Sequence, residues 1–189
     1  MTQAKATGFA ARYAVLLRAL TWGTLAALPL HAHGQVSEYE LKAAFLFNFA
    51  LFTQPIDTAS TLVGGPSEPY RICIFGKDPF GAATKSLTKR MIAGRPIAVG
   101  VTTATDELKQ CQLIFIPETE RESARRAANA VSGLPIITVG EFKDFPAGGA
   151  LFNLIVIDDK VAFQVNTQVA RSQQLDVSAK LTRLATSVR

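Results

Sequence analysis

The sequence predicts a single α/β domain, a mixed and mostly parallel sheet flanked by helices and finished by a C-terminal β-hairpin. Three observations carry this. From Tyr70 to Val139, short apolar runs of strand length alternate with segments of helical character, the pattern of the units that build parallel sheets. Beyond them, Ala150–Ile157 and Val161–Asn166 are apolar runs joined through Asp158-Asp159-Lys160, which predicts an antiparallel hairpin and a mixed edge. Finally, once an N-terminal leader is set aside, residues 35–189 of the 189-residue chain suit one compact domain with a sizeable core.

The leader is residues 1–34. Lys5, Arg12 and Arg18 make a cationic start, Ala19–Leu30 is apolar, and Ala32 and Gly34 fit the small-residue positions of a cleavage site before Gln35. This is the anatomy of an export signal, and an apolar core of about 12 residues is too short to span a bilayer comfortably. Cleavage would remove His31, His33 and Trp22, the only histidines and tryptophan of the chain. The mature protein would then have no His general base, no Ser-His-Asp or Cys-His nucleophile and no His-ligated metal. Removing Lys5, Arg12 and Arg18 also takes the net charge from +5 to +2. A nearly neutral exported chain is a poor nucleic-acid binder. Its densest basic group, Arg121, Arg125 and Arg126, alternates with Glu118, Glu120 and Glu122, as on a solvated helix face.

Ser37 opens the first helix, with Glu40 at capping-box spacing. The helix runs to Phe52 or Thr53 and is apolar almost all round. Such a helix is either buried on every side or covered by a partner, and Phe45, Phe47, Phe49 and Phe52 are the residues that would meet one. Pro55–Pro69 is a long loop carrying Gly64-Gly65-Pro66. The elements that follow are strand Tyr70–Phe75, helix Pro79–Arg90 capped by Asp78, and strand Arg95–Val101. Next come a short helix Thr105–Lys109, strand Cys111–Ile116, helix Glu118–Val131, strand Pro135–Val139 and a helical turn Glu141–Asp144. After the hairpin, Ser178–Val188 has the spacing of an amphipathic helix.

Cys73 and Cys111 are the only cysteines. Export favours pairing them in a disulfide; the alternative is two buried free thiols packed as small hydrophobes. In a doubly wound sheet whose first strand lies between the second and third, the two cysteines fall on neighbouring strands, within the Cα separation a disulfide needs. The turn Gly76-Lys77-Asp78 lies where such sheets take ligands and offers Gly and Lys before a helix start, suited to an anion. Turn chemistry and a helix cap explain it equally well, since neither a Walker loop nor a G-x-G-x-x-G motif is present. Asp158-Asp159 is a hairpin tip rather than an acid/base pair, and Asn153 and Asn166 are placed to hydrogen-bond backbone. No catalytic residue, metal-ligand set or cofactor motif emerges, so an enzyme is disfavoured.

The ordered set Tyr39-Glu40-Leu41-Lys42-Ala43-Ala44-Phe45-Leu46-Phe47-Asn48-Phe49, Arg71–Gly81, Cys111–Pro117, Gly148-Gly149, Asn153, Val161–Asn166 and Ser178–Ala185 resembles the YfiR-like family of bacterial periplasmic regulatory proteins. The resemblance covers essentially the whole mature chain. It implies an α/β fold without catalytic activity and a repressor that binds the periplasmic domain of an inner-membrane diguanylate cyclase, or of another sensor such as a kinase. Release would raise cyclic di-GMP and promote biofilm formation. It further implies relief of repression by redox state or by an outer-membrane lipoprotein, and a stabilising Cys73–Cys111 disulfide. A homodimer is also plausible on symmetry grounds. The chain departs from the pattern in two places: Gln54 rather than Trp precedes Pro55, and a second cysteine pair near the hairpin is missing. A reading of a different class is a periplasmic small-molecule-binding protein using Gly76, Lys77 and Asp78.

Overall fold

A computed structural model describes residues 37–57, 65, 67–143 and 149–188; the expected leader at 1–34 lies outside them. Helix α1, Glu38–Leu51, leads into a short strand β1, Thr53–Pro55. The main sheet is built from β2 (Tyr70–Phe75), β3 (Met91–Ile92), β4 (Arg95–Thr102), β5 (Leu113–Ile116), β6 (Ile137–Gly140), β7 (Phe152–Ile157), β8 (Lys160–Val165) and β10 (Ser187–Val188). Helices α2 (Thr84–Thr88), α3 (Arg121–Ala130), α4 (Thr167–Ser172) and α5 (Ala179–Thr182) connect or follow these strands, and β9 (Leu175–Val177) pairs with β1.

Strand order is β10-β8-β7-β6-β5-β2-β4-β3. The five strands β4, β2, β5, β6 and β7 are parallel, while β7–β8 and β3–β4 are antiparallel. The first long strand thus lies between the second and third, the order supposed above in placing the two cysteines on neighbouring strands. Apolar side chains alternate to two faces of the sheet and bury two cores. One, with Ile72, Ile74, Phe115, Phe152 and Phe163, is covered by α1, α2, α4 and α5. The other, with Phe75, Ile114 and Ile116, is covered by α3 and the 3-10 turn Glu107–Gln110. Two-sided cover explains why β5 and β6 are buried at every position.

Several predicted elements are shorter or different. The helix expected over 79–90 is a 3-10 turn, Gly81–Ala83, followed by α2. Gly81 has φ +50°, which a right-handed helix excludes, and Asp78 accepts from the Phe80 N–H in a local turn instead of capping a helix. Residues 105–109 tighten to the 3-10 turn at 107–110, and 118–131 begins with a 3-10 turn before α3. Cys111 precedes β5 instead of opening it, and β6 starts two residues after Pro135. Glu141–Lys143 is not helical, and Asp144 lies outside the described residues. The Asn153 side chain takes both the N–H and the C=O of Phe142, each at 2.8 Å, and holds that segment extended. The tail expected as one helix over 178–188 breaks after α5 and ends as β10, because Thr186 donates its N–H and hydroxyl to the Phe163 carbonyl at the open edge of β8.

Two tight turns have mirror-image geometry. At the β7–β8 tip Asp158 and Asp159 both have positive φ, as do Ala93 and Gly94 between β3 and β4. Such turns suit the sheet twist but favour Asn or Gly, and a left-handed alanine costs about 1 kcal/mol. Ala93→Asn is therefore expected to raise the melting temperature by about 2–4 °C; a thermal melt checks it, and an unchanged or lower value contradicts it.

Candidate functional site

The capping box forms as predicted: Ser37 Oγ accepts from Glu40 N–H and Glu40 Oε2 accepts from Ser37 N–H. That start fixes the rotational frame of α1. At 3.6 residues per turn, Phe45, Phe49 and Phe52 share one side and Phe47 faces away. Phe49 is fully buried, stacked on Phe152 at 4.1 Å between ring centres and edge-on to Phe163 at 5.1 Å. Phe47 lies beneath the Arg90 guanidinium, 4.5 Å from its ring centre. Phe45 and Phe52 remain half-buried and line a groove of about 460 Å³ with Val161, Phe163, Leu181 and Leu184. Lys180 lies over the Phe52 ring at 5.3 Å, so the groove is apolar with one cation at its side. Leu184 is 68 % exposed, large for an apolar side chain beside such a groove. The four phenylalanines therefore divide: Phe49 is core, Phe47 belongs to another face, and Phe45 and Phe52 open onto the groove.

A buried charged anchor seats α1 against the C-terminal end of β6. Lys42 Nζ lies 2.6 Å from Glu141 Oε2 and 2.5 Å from Glu38 Oε1. Tyr39 donates its hydroxyl to Glu141 at 3.4 Å, and the Glu118 N–H donates to the same carboxylate at 3.2 Å. Burial alone would lower the Lys42 pKa, but the hydrogen bonds and charges of Glu141 and Glu38 outweigh it and hold the value above the ordinary 10.5. Burial, followed by the Glu141 charge, raises Tyr39 as well. A lysine with a raised folded pKa contributes fully below the unfolded value and loses its contribution as pH rises through the folded one. A tyrosine held neutral acts in the same direction, since the unfolded chain ionises first. The urea midpoint is expected to fall above about pH 10, and to fall less in Lys42→Met. Parallel alkaline profiles for the two proteins would contradict this. The composition of α1 carried the clue, since Lys42 is the one basic residue between Glu38 and Leu51.

The turn Gly76-Lys77-Asp78 lies at the C-terminal end of β2. Gly76 has φ +88° and donates its N–H to Thr102 O at 2.8 Å. A side chain there would collide with the Glu120 carboxylate group. An acidic side chain thus packs on the turn where the sequence suggested an anion, and Lys77 stays exposed. The glycine is required by backbone conformation and close approach.

Cys73 and Cys111 are disulfide-bonded with Cα atoms 6.0 Å apart, tying β2 to the residue that enters the neighbouring β5. Both lie within the second core. Asn153 and Asn166 take backbone roles, Asn153 at Phe142 and Asn166 as the cap of α4. No helix among the described residues is long and apolar enough to cross a membrane.

A family model described as YfiR/HmsC-like matches residues 39–186. The matched span contains the groove, the charged anchor and both cysteines. No curated protein matches the chain.

Proposed function

The chain belongs to the YfiR/HmsC-like family, and we propose on that premise that it is a periplasmic regulator. It docks reversibly on the periplasmic domain of an inner-membrane signalling protein, such as a diguanylate cyclase, and represses it. The observation that supports a docking role most directly is the half-open groove beside α1. There Phe45 and Phe52 are only partly covered and Leu184 stands out into solvent. Apolar side chains exposed together beside a rigid core mark interaction surfaces more often than chance. The disulfide supports the reading by keeping β2 and β5 fixed relative to one another. The small-molecule reading at Gly76-Lys77-Asp78 gains no support from the turn's geometry.

The test is a crosslinking pull-down of the tagged protein from its own envelope, with and without reductant, read by mass spectrometry. Recovery of a membrane-bound cyclase or kinase, with less recovered after reduction, is the expected result. Recovery of no membrane protein under either condition overturns the proposal.

A further inference from the structure

Arg95, the first residue of β4, is 3 % exposed. Its Nε donates to the Glu68 carbonyl at 2.6 Å and its Nη2 to the Pro69 carbonyl at 2.9 Å. Among the described residues its Nη1 has no hydrogen-bond partner, and no ion pair includes it. A guanidinium stays charged at any ordinary pH, and a buried cation without an anion is costly. The residue also lines a cavity of about 400 Å³, within the range of small-molecule sites. Thr53 lines the same cavity, is 5 % exposed, and its Oγ1 has no partner among the described residues either. The remaining wall is mainly apolar, with Leu51, Tyr70, Ile137 and Leu175. Tyr70, Arg95 and Ile137 are the first residues of parallel strands. The cavity therefore lies at the end of the sheet opposite the crevice where such folds usually take ligands.

We propose that this cavity binds a small organic acid, its carboxylate paired with Arg95 and Thr53 and its apolar body against Tyr70, Ile137 and Leu175. The carboxylate supplies an anion that no described residue offers the buried guanidinium, using the Nη1 protons those residues leave unpaired. Thr53 donates its hydroxyl to the second carboxylate oxygen. An uncharged amide of the same shape offers no such pair, and the guanidinium rejects cations outright. This inference is independent of the docking role, because the cavity and the groove share no lining residue.

The test titrates the intact oxidised protein with acetate, benzoate and phenylacetate and with the matching amides. Calorimetry and the ¹⁵N-labelled Arg95 Nε–H resonance, assigned by its loss in Arg95→Lys, provide the readouts. At least one of the aromatic acids is expected to bind saturably, to shift the Arg95 resonance and to bind about tenfold tighter than its amide. Thr53→Val, close to isosteric and not itself one of the Arg95 carbonyl contacts, should weaken that acid about fivefold or more. Equal affinity for acid and amide overturns the proposal, and so does an Arg95 resonance that none of the three acids moves. The second result would leave Arg95 as a clamp for the carbonyls entering β2 and nothing more.

Discussion

Breaking the Cys73–Cys111 bond should lower the melting temperature by about 10 °C. The two residues are separated by 38 positions, and cross-linking a loop of that length stabilises by about 4 kcal/mol on the chain-entropy model. A domain of this size loses about 2–4 °C per kcal/mol. The bond joins β2 to the residue leading into β5 inside a packed layer, so its loss frees the two segments in the unfolded chain while the native sheet keeps its hydrogen bonds. The clean comparison is oxidised wild type, reduced wild type and Cys73→Ala/Cys111→Ala by scanning calorimetry. The last two should melt within a few degrees of each other and well below the first. Equal melting of oxidised wild type and the double variant would remove the disulfide from any account of stability, and with it the simplest basis for redox sensitivity.

Phe49→Ala should cost about 3–5 kcal/mol, the usual range for deleting a buried phenylalanine. Its ring is sandwiched within one core, against Phe152, Phe163 and Phe45, and the rigid sheet behind it cannot collapse into the space. Phe52→Ala is expected to cost far less, because that ring is already half open to the groove. The roles should reverse in a partner assay. Phe52→Glu, with Leu184→Glu as an independent variant, should keep its urea midpoint near wild type and lose most of the crosslinked membrane protein. If Phe52→Glu and Leu184→Glu fold normally and still capture the partner in full, the groove is not the docking surface. If Phe49→Ala leaves the midpoint unchanged, the aromatic stack is not holding α1 on the sheet.

The centre of the parallel sheet was legible because β5 and β6 are buried on both faces and β5 leaves an uninterrupted apolar run, Leu113–Ile116. The start of α1 was legible because capping is local chemistry between Ser37 and Glu40. The hairpin tip was legible because Asp158 and Asp159 tolerate left-handed backbone. Elements settled by distant partners were not. Residues 183–188 keep a helical apolar spacing, yet the open edge of β8 captures Ser187 and Val188 as a strand. The pairing of Thr53–Pro55 with Leu175–Val177 joins segments too short and too far apart for a periodicity to register. The short helix α4 follows from the Asn166 cap, but six residues carry little pattern. At the candidate site, the four phenylalanines named from the sequence divide between core, groove and another face. Helical frame alone separates Phe47 from Phe45 and Phe52, whereas the burial of Phe49 needs Phe152 and Phe163, which no local signal places. Arg95 was invisible for the same reason, since a basic residue at a strand start ordinarily faces water.

The seating of α1 also bears on how the chain reaches its native state. Tyr39 meets Glu141 at a sequence separation of 102, Lys42 meets the same residue at 99, and Phe49 finds Phe152 and Phe163 farther still along the chain. A nascent chain emerges from its N-terminus, so the most aromatic helix appears first while the strands that shelter it have yet to be made. Contacts of such long range form late and slowly. Until β7 and β8 arrive, the helix is an adhesive apolar rod, the kind of species that aggregates or is held by chaperones. The groove proposed for docking is therefore also a checkpoint on maturation: Phe45 and Phe52 are arrayed beside Val161 and Leu184 only when nearly the whole chain has been assembled.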